Sequence, residues 1–141
     1  MPPEAAIPVV AGLAFREAGP RDEPFLRALF REGREAELAL TGWDEARKQA
    51  FADDQFALQD RHYRQHYPGA AFLVIERGGE SIGRLSLCRF AAEVRVMDMA
   101  LVPAERGRGA GSAIMAAIAR DAAREGAAVT LHVERNGRAR A

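Results

Sequence analysis

The sequence predicts an α/β protein on a sheet of mixed strand direction, with elements in the order β-α-α-β-β-β-α-β. Three observations lead there. Residues Glu93 to Val102 start as an alternating run and become almost wholly apolar (VMDMALV), as expected of a central strand covered on both faces. Gly78-Gly79 separates two runs rich in strand formers, which reads as a β-hairpin. Ser112 to Glu125 carries Ile114, Met115, Ile118 and Ala122 on one helical face and meets Gly126, a natural C-terminal stop.

The remaining elements follow in order. Residues 1–11 are rich in Pro and Ala and are expected to form a loose arm ahead of one domain over residues 12–141. Leu13, Phe15 and Glu17 begin a short alternating strand, ended by Gly19-Pro20. A helix opens there, with Asp22 and Glu23 suited to its first turn and Phe25, Leu26, Leu29 and Phe30 on one face. Thr41-Gly42 interrupts it, and Asp44 opens a second helix that runs to about Tyr67 before Pro68-Gly69. Ala71 to Glu76 and Ile82 to Phe90 are the hairpin strands, and Thr130 to Glu134 is the last strand.

Composition excludes several classes. The 20 basic and 20 acidic residues of the 141-residue chain cancel, which argues against nucleic-acid binding and against an anionic membrane surface. No run approaches the roughly 18 apolar residues of a membrane span, and the first residues lack the basic start of a secretory signal. One Cys can make neither an internal disulfide nor a thiolate cage, so a reducing, cytoplasmic setting is expected. Cys88 lies among apolar strand neighbours and reads as a core thiol. His62 and His66 stand four apart on a helix without an evident third ligand, so no metal is expected.

The chemistry concentrates at residues 98–118, where an apolar strand runs into Gly107, Gly109 and Gly111 and then into a helix. Glycines there permit positive φ and close backbone approach, and the amides of such a turn form an anion site suited to a pyrophosphate. Arg106 and Arg108 add charge. A P-loop would need Gly-Lys-Ser/Thr, and the stretch has no Lys. A dinucleotide fingerprint counted from Gly107 would need Gly where Ser112 stands. The pattern Arg/Gln-x-x-Gly-x-Gly/Ala is met in full by Arg106-Gly107-Arg108-Gly109-Ala110-Gly111. Glu93 and Asp98, on the apolar strand, are the candidate general bases, with His132 on the neighbouring strand a third.

With Val102-Pro103 ahead of that motif, a helix behind it, and Leu131-His132-Val133-Glu134 leading to Asn136-Gly137-Arg138-Ala139, the sequence resembles the GCN5-related N-acetyltransferases (GNAT) from about Leu13 to Ala141. Ile82-Gly83-Arg84-Leu85 and the stretch from Gln55-Phe56 through His62-Tyr63 to Tyr67-Pro68 resemble a bacterial branch of that family. The resemblance implies a mixed, mostly antiparallel central sheet flanked by helices. It implies transfer of an acetyl group from acetyl-CoA, as cosubstrate, to a primary amine of a small molecule or peptide by direct attack. It also implies that amides of Arg106, Gly107, Arg108, Gly109, Ala110, Gly111 and Ser112 hold the pyrophosphate, that the backbone of Leu101 and Val102 pairs with the pantetheine arm, and that Asn136 touches the pantetheine region. Residues 55–67 would form one wall of the acceptor pocket.

The family pattern continues past Asn-x-x-Ala into Leu-Tyr and a Gly-Phe segment, and the sequence ends at Ala141. The expectation is therefore a domain lacking its last helix and closing strands, without the Tyr that protonates the leaving thiolate. An edge left beside Thr130 to Glu134 would favour a homodimer. A non-catalytic acyl-CoA-binding module, or a fragment of the enzyme, is the alternative.

Overall fold

The computed structural model describes residues 5–131. Its elements are β1 (Ala14–Glu17), α1 (Glu23–Ala39), α2 (Glu45–His66), β2 (Ala71–Arg77), β3 (Glu80–Phe90), β4 (Glu93–Leu101), α3 (Ala110–Arg124) and β5 (Ala128–Leu131). The order is the expected one. The chain divides into two compact units: Gly19–Pro68, and the segments up to Ala18 and from Gly69 onward. Within the helical unit the two helices pack on each other.

In the helical unit, the Asp22 carboxylate accepts from the Gly19 amide at 2.8 Å, ahead of α1. Asp44 caps α2 by accepting from the Arg47 amide at 2.8 Å. Phe30 of α1 meets Phe56 of α2 edge to face at 5.7 Å. The Arg27 guanidinium lies 5.1 Å from the Phe56 ring centroid and 3.6 Å from the Asp53 carboxylate.

The other unit is a five-stranded sheet in the order β1-β2-β3-β4-β5. The first four strands pair antiparallel, and β4 pairs with β5 in parallel, from Glu93 opposite Ala128 to Val96 opposite Leu131. Parallel neighbours need a crossover, and α3 supplies it. Ala110, Ile114, Ile118 and Ala122, four apart, line the buried face of α3 against Leu73, Ile75, Leu85, Leu87, Val94, Val96 and Leu101. The helix ends as expected: Gly126 takes a φ of 69°, its amide donates to Ala123 O at 3.1 Å, and the Ala127 amide donates to Ala122 O at 2.8 Å.

One irregularity governs the central strand. Ser86 opposes Asp98 but Leu87 opposes Val96, so Met97 is an extra residue in β4. The extra residue switches the alternation. Val94 and Val96 face α3 before it, and Met99 and Leu101 face α3 after it. Asp98 is thereby turned to the opposite face of the sheet.

Two boundaries that frame α3 differ from expectation. Helix α3 begins at Ala110 rather than Ser112, because Gly109 reverses the chain and the Ala113 amide already donates to Gly109 O. Strand β5 begins at Ala128, two residues before Thr130, because it continues directly from the helix stop, and the rest of the expected strand, from His132, lies outside the described residues. In the N-terminal segment, Ala5 and Val10 pack on the α3 core and Pro8 is buried, while Ile7 and Val9 are exposed.

Candidate functional site: the turn between β4 and α3

After β4, a short 3-10 turn over Pro103–Glu105 leads to Arg106 and then to Gly107 and Gly109, at φ of 74° and 84°. A Cβ built on either glycine meets nothing within 4 Å, so backbone conformation is what demands glycine there. Gly111 is different. It lies inside α3 at ordinary φ, and a Cβ on it would make normal contact with Met99 Cε at 3.6 Å.

The turn aims a row of donors outward. The first intrahelical bond of α3 is donated by Ala113, so the amides of Ala110, Gly111 and Ser112 have no acceptor within the helix. Gly109 offers no capping side chain, and the first turn of α3 contains no acidic residue. An anion is the natural partner for such an end. Arg108 is exposed beside it and makes no hydrogen bond or ion pair among the described residues. Two side chains fasten the segment ahead of the turn. Arg77 at the end of β2 donates to the Glu105 carboxylate at 3.0 and 3.2 Å, and Arg106 Nε donates to Leu101 O at 3.0 Å.

The backbone of β4 can be assigned edge by edge. The Val102 amide donates to Ile82 O at 2.9 Å, so Val102 turns its N–H toward β3. Groups alternate along an antiparallel strand. Leu101, and Met99 before it, therefore point their N–H and C=O groups to the other edge, where β5 accompanies β4 only as far as Val96 among the described residues. The expected pairing of a ligand arm with Leu101 keeps a suitable edge. The expected use of the Val102 amide does not, because that donor is already spent on β3. The Met99 backbone faces the same edge as that of Leu101, and an apolar run gives no sign of which backbone groups the neighbouring strand consumes.

The two candidate bases stand in different surroundings. Asp98 is ion-paired to Arg84 on the adjacent strand, with side-chain exposures of 17% and 13%. Glu93 lies at the far end of β4, eight residues from Leu101, or about 26 Å of extended strand. Its carboxylate accepts from the Thr130 hydroxyl of β5 and from Arg95 Nε at 3.0 Å. These two bonds, the Thr130 one first, hold its pKa below the ordinary carboxylate value. His132 and Asn136 lie outside the described residues. Cys88 is buried, and burial pushes its thiol pKa up, which disfavours the nucleophilic thiolate. His62 and His66 stack at 4.2 Å between ring centroids. Among the described residues no three His, Cys, Asp or Glu side chains gather as a metal site, and no helix is long and apolar enough to cross a membrane.

A family model described as Acetyltransferase (GNAT) family matches residues 29–141. Among curated proteins none matches the sequence. Solved structures share the fold. The chain is similar to the PaiA N-acetyltransferase of Thermoplasma acidophilum, a complex with coenzyme A, at 17% identity and a TM-score of 0.60, covering 89% of this chain and 81% of that one. A GCN5-related N-acetyltransferase of Rhodopseudomonas palustris is 23% identical with a TM-score of 0.53, over 84% and 71% of the two chains. A transcriptional regulator of Bacillus halodurans is 14% identical with a TM-score of 0.52, over 88% and 83%.

Proposed function

The chain belongs to the GNAT acetyltransferase family, and from that premise we propose that it moves an acetyl group from acetyl-CoA to a primary amine. The observation that carries the proposal is the open N-terminus of α3, set by the positive φ of Gly107 and Gly109. Amides of Ala110, Gly111 and Ser112 bind the pyrophosphate, and Arg108 adds a charge-assisted contact. The pantetheine arm lies along the edge of β4 away from β3, paired with the backbone of Met99 and Leu101. That edge leads its thioester from Leu101 back along β4 past Met99.

The amine attacks the thioester carbonyl carbon, the C–S bond breaks and the amide forms. The amine loses a proton, and the thiolate takes one up. No covalent enzyme intermediate is required, in keeping with the buried thiol of Cys88. An alkyl ammonium of pKa about 10.4 costs about 4.6 kcal/mol to deprotonate at pH 7, so a proton acceptor is worth having. Asp98 is the proposed acceptor. It faces away from α3 and lies on β4 one residue before Met99, beside the edge proposed for the arm. Glu93 is a side-chain tie between β4 and β5, its carboxylate held by Thr130 and Arg95 about 26 Å of strand from Leu101.

The test is thiol release from acetyl-CoA with a panel of small-molecule and peptide amines. The wild-type protein is expected to turn over at least one of them. Asp98→Asn should lower kcat by roughly 10²–10⁴-fold, and Glu93→Gln should not. Absence of thiol release with every amine, together with absence of coenzyme A binding, overturns the proposal.

A further inference from the structure

We propose that Arg106 is a positioning residue with two alternating partners: the Leu101 carbonyl in the free protein, and the bound anion once an arm has paired along β4. The inference rests on the proposed acetyl-CoA site and goes beyond it, by linking the anion turn to the strand edge. Arg106 is the last residue before the first positive-φ glycine, so its backbone belongs to the anion turn. Its side chain nevertheless reaches back to β4, where Nε donates to Leu101 O at 3.0 Å. Leu101 O points to the edge that β3 does not use. The guanidinium therefore caps the acceptor that an amide-bearing arm would need. The side chain thus reaches back five residues in sequence, from the anion turn to the strand.

A ligand carrying both an amide arm and a phosphate group resolves both halves together. An amide N–H of the arm replaces Nε on Leu101 O, and the displaced guanidinium turns to the phosphate, where a charged partner gives the stronger bond. A ligand with only one half gains less. An arm alone must displace the Arg106 bond without offering a replacement. A phosphate alone must draw the guanidinium away and leave Leu101 O to water. The device favours the whole cosubstrate over its pieces.

The experiment compares three probes by calorimetry: coenzyme A, pantetheine, and adenosine 3′,5′-bisphosphate, each with the wild-type protein and with Arg106→Ala. Pantetheine should bind about two- to tenfold more tightly to Arg106→Ala, the fold-change of one net hydrogen bond no longer broken. The bisphosphate and coenzyme A should bind more weakly to it. A parallel measurement on the wild-type protein needs no variant. The Arg106 Nε–H resonance should shift on adding pantetheine, and its slow hydrogen exchange should be lost. Equal weakening of all three probes, or a resonance indifferent to pantetheine, overturns the proposal while leaving the acetyl-CoA site standing. Failure of the wild-type protein to bind coenzyme A at all overturns the proposed function on which it rests.

Discussion

Asp98 on β4 and Arg84 on β3 form an ion pair across the sheet as diagonal cross-strand neighbours. Ser86 opposes Asp98, and Arg84 opposes Ala100. The extra residue at Met97 is what brings Asp98 to Arg84's face. Without it, the alternation set by Val94 and Val96 would turn Asp98 toward α3, where a carboxylate would meet only apolar partners.

Removing one member of this pair should therefore cost more than an ordinary surface change. Asp98→Asn is expected to destabilise the protein by about 2–4 kcal/mol, at the lower side of what breaking a buried pair costs, because both side chains retain some solvent. Arg84→Met should cost a similar amount. The double variant should cost less than the sum, a coupling that urea denaturation of the four proteins measures directly.

The acid limb of stability should depend on Glu93. Its folded-state pKa is lowered below the model-compound value of 4.5 by the Thr130 hydroxyl and Arg95. A carboxylate with a depressed folded pKa contributes stability that is present above its unfolded value and is lost as pH falls through the folded one. Glu93→Gln should flatten the decline of Tm below pH 4.5, and Thr130→Val should flatten it in part. An acid limb unchanged in both variants would contradict the assigned hydrogen bonds.

Gly83 is required by space rather than by φ. A Cβ on it would press on the Ala100 carbonyl and lie 2.8 Å from Leu101 Cδ2, so β3 and β4 approach each other there more closely than any side chain permits. Gly83→Ala should cost at least about 1–3 kcal/mol. Because Leu101 turns its backbone to the edge proposed for the arm, coenzyme A affinity should fall as well. Thermal melting and calorimetry on one preparation check both.

Much of this architecture was legible in the sequence because it is local. The four-residue row of α3, the Gly-Gly hairpin and the glycine turn are each set by neighbours along the chain, and each lies where the pattern put it. What escaped is non-local. In the almost wholly apolar run VMDMALV an inserted residue leaves no break in polarity, so the switch of faces at Met97 was invisible, and with it the pairing of Asp98 to Arg84. The commitment of the Val102 amide to Ile82, and of Arg106 to Leu101, depends on strand partners that spacing does not name. The start of α3 was placed two residues late because Ala110 and Gly111 carry no apolar signal, although they supply two of its three open amides.

The most direct test of the account is calorimetric titration of coenzyme A into the wild-type protein, Gly109→Val and Gly111→Ala. A valine at φ of 84° is strained, so Gly109→Val distorts the turn and should bind at least tenfold more weakly. Gly111→Ala adds a methyl in ordinary contact with Met99 at an ordinary helical φ, and should fold and bind like the wild type. Undiminished affinity in a folded Gly109→Val would contradict the placement of the cosubstrate at the end of α3.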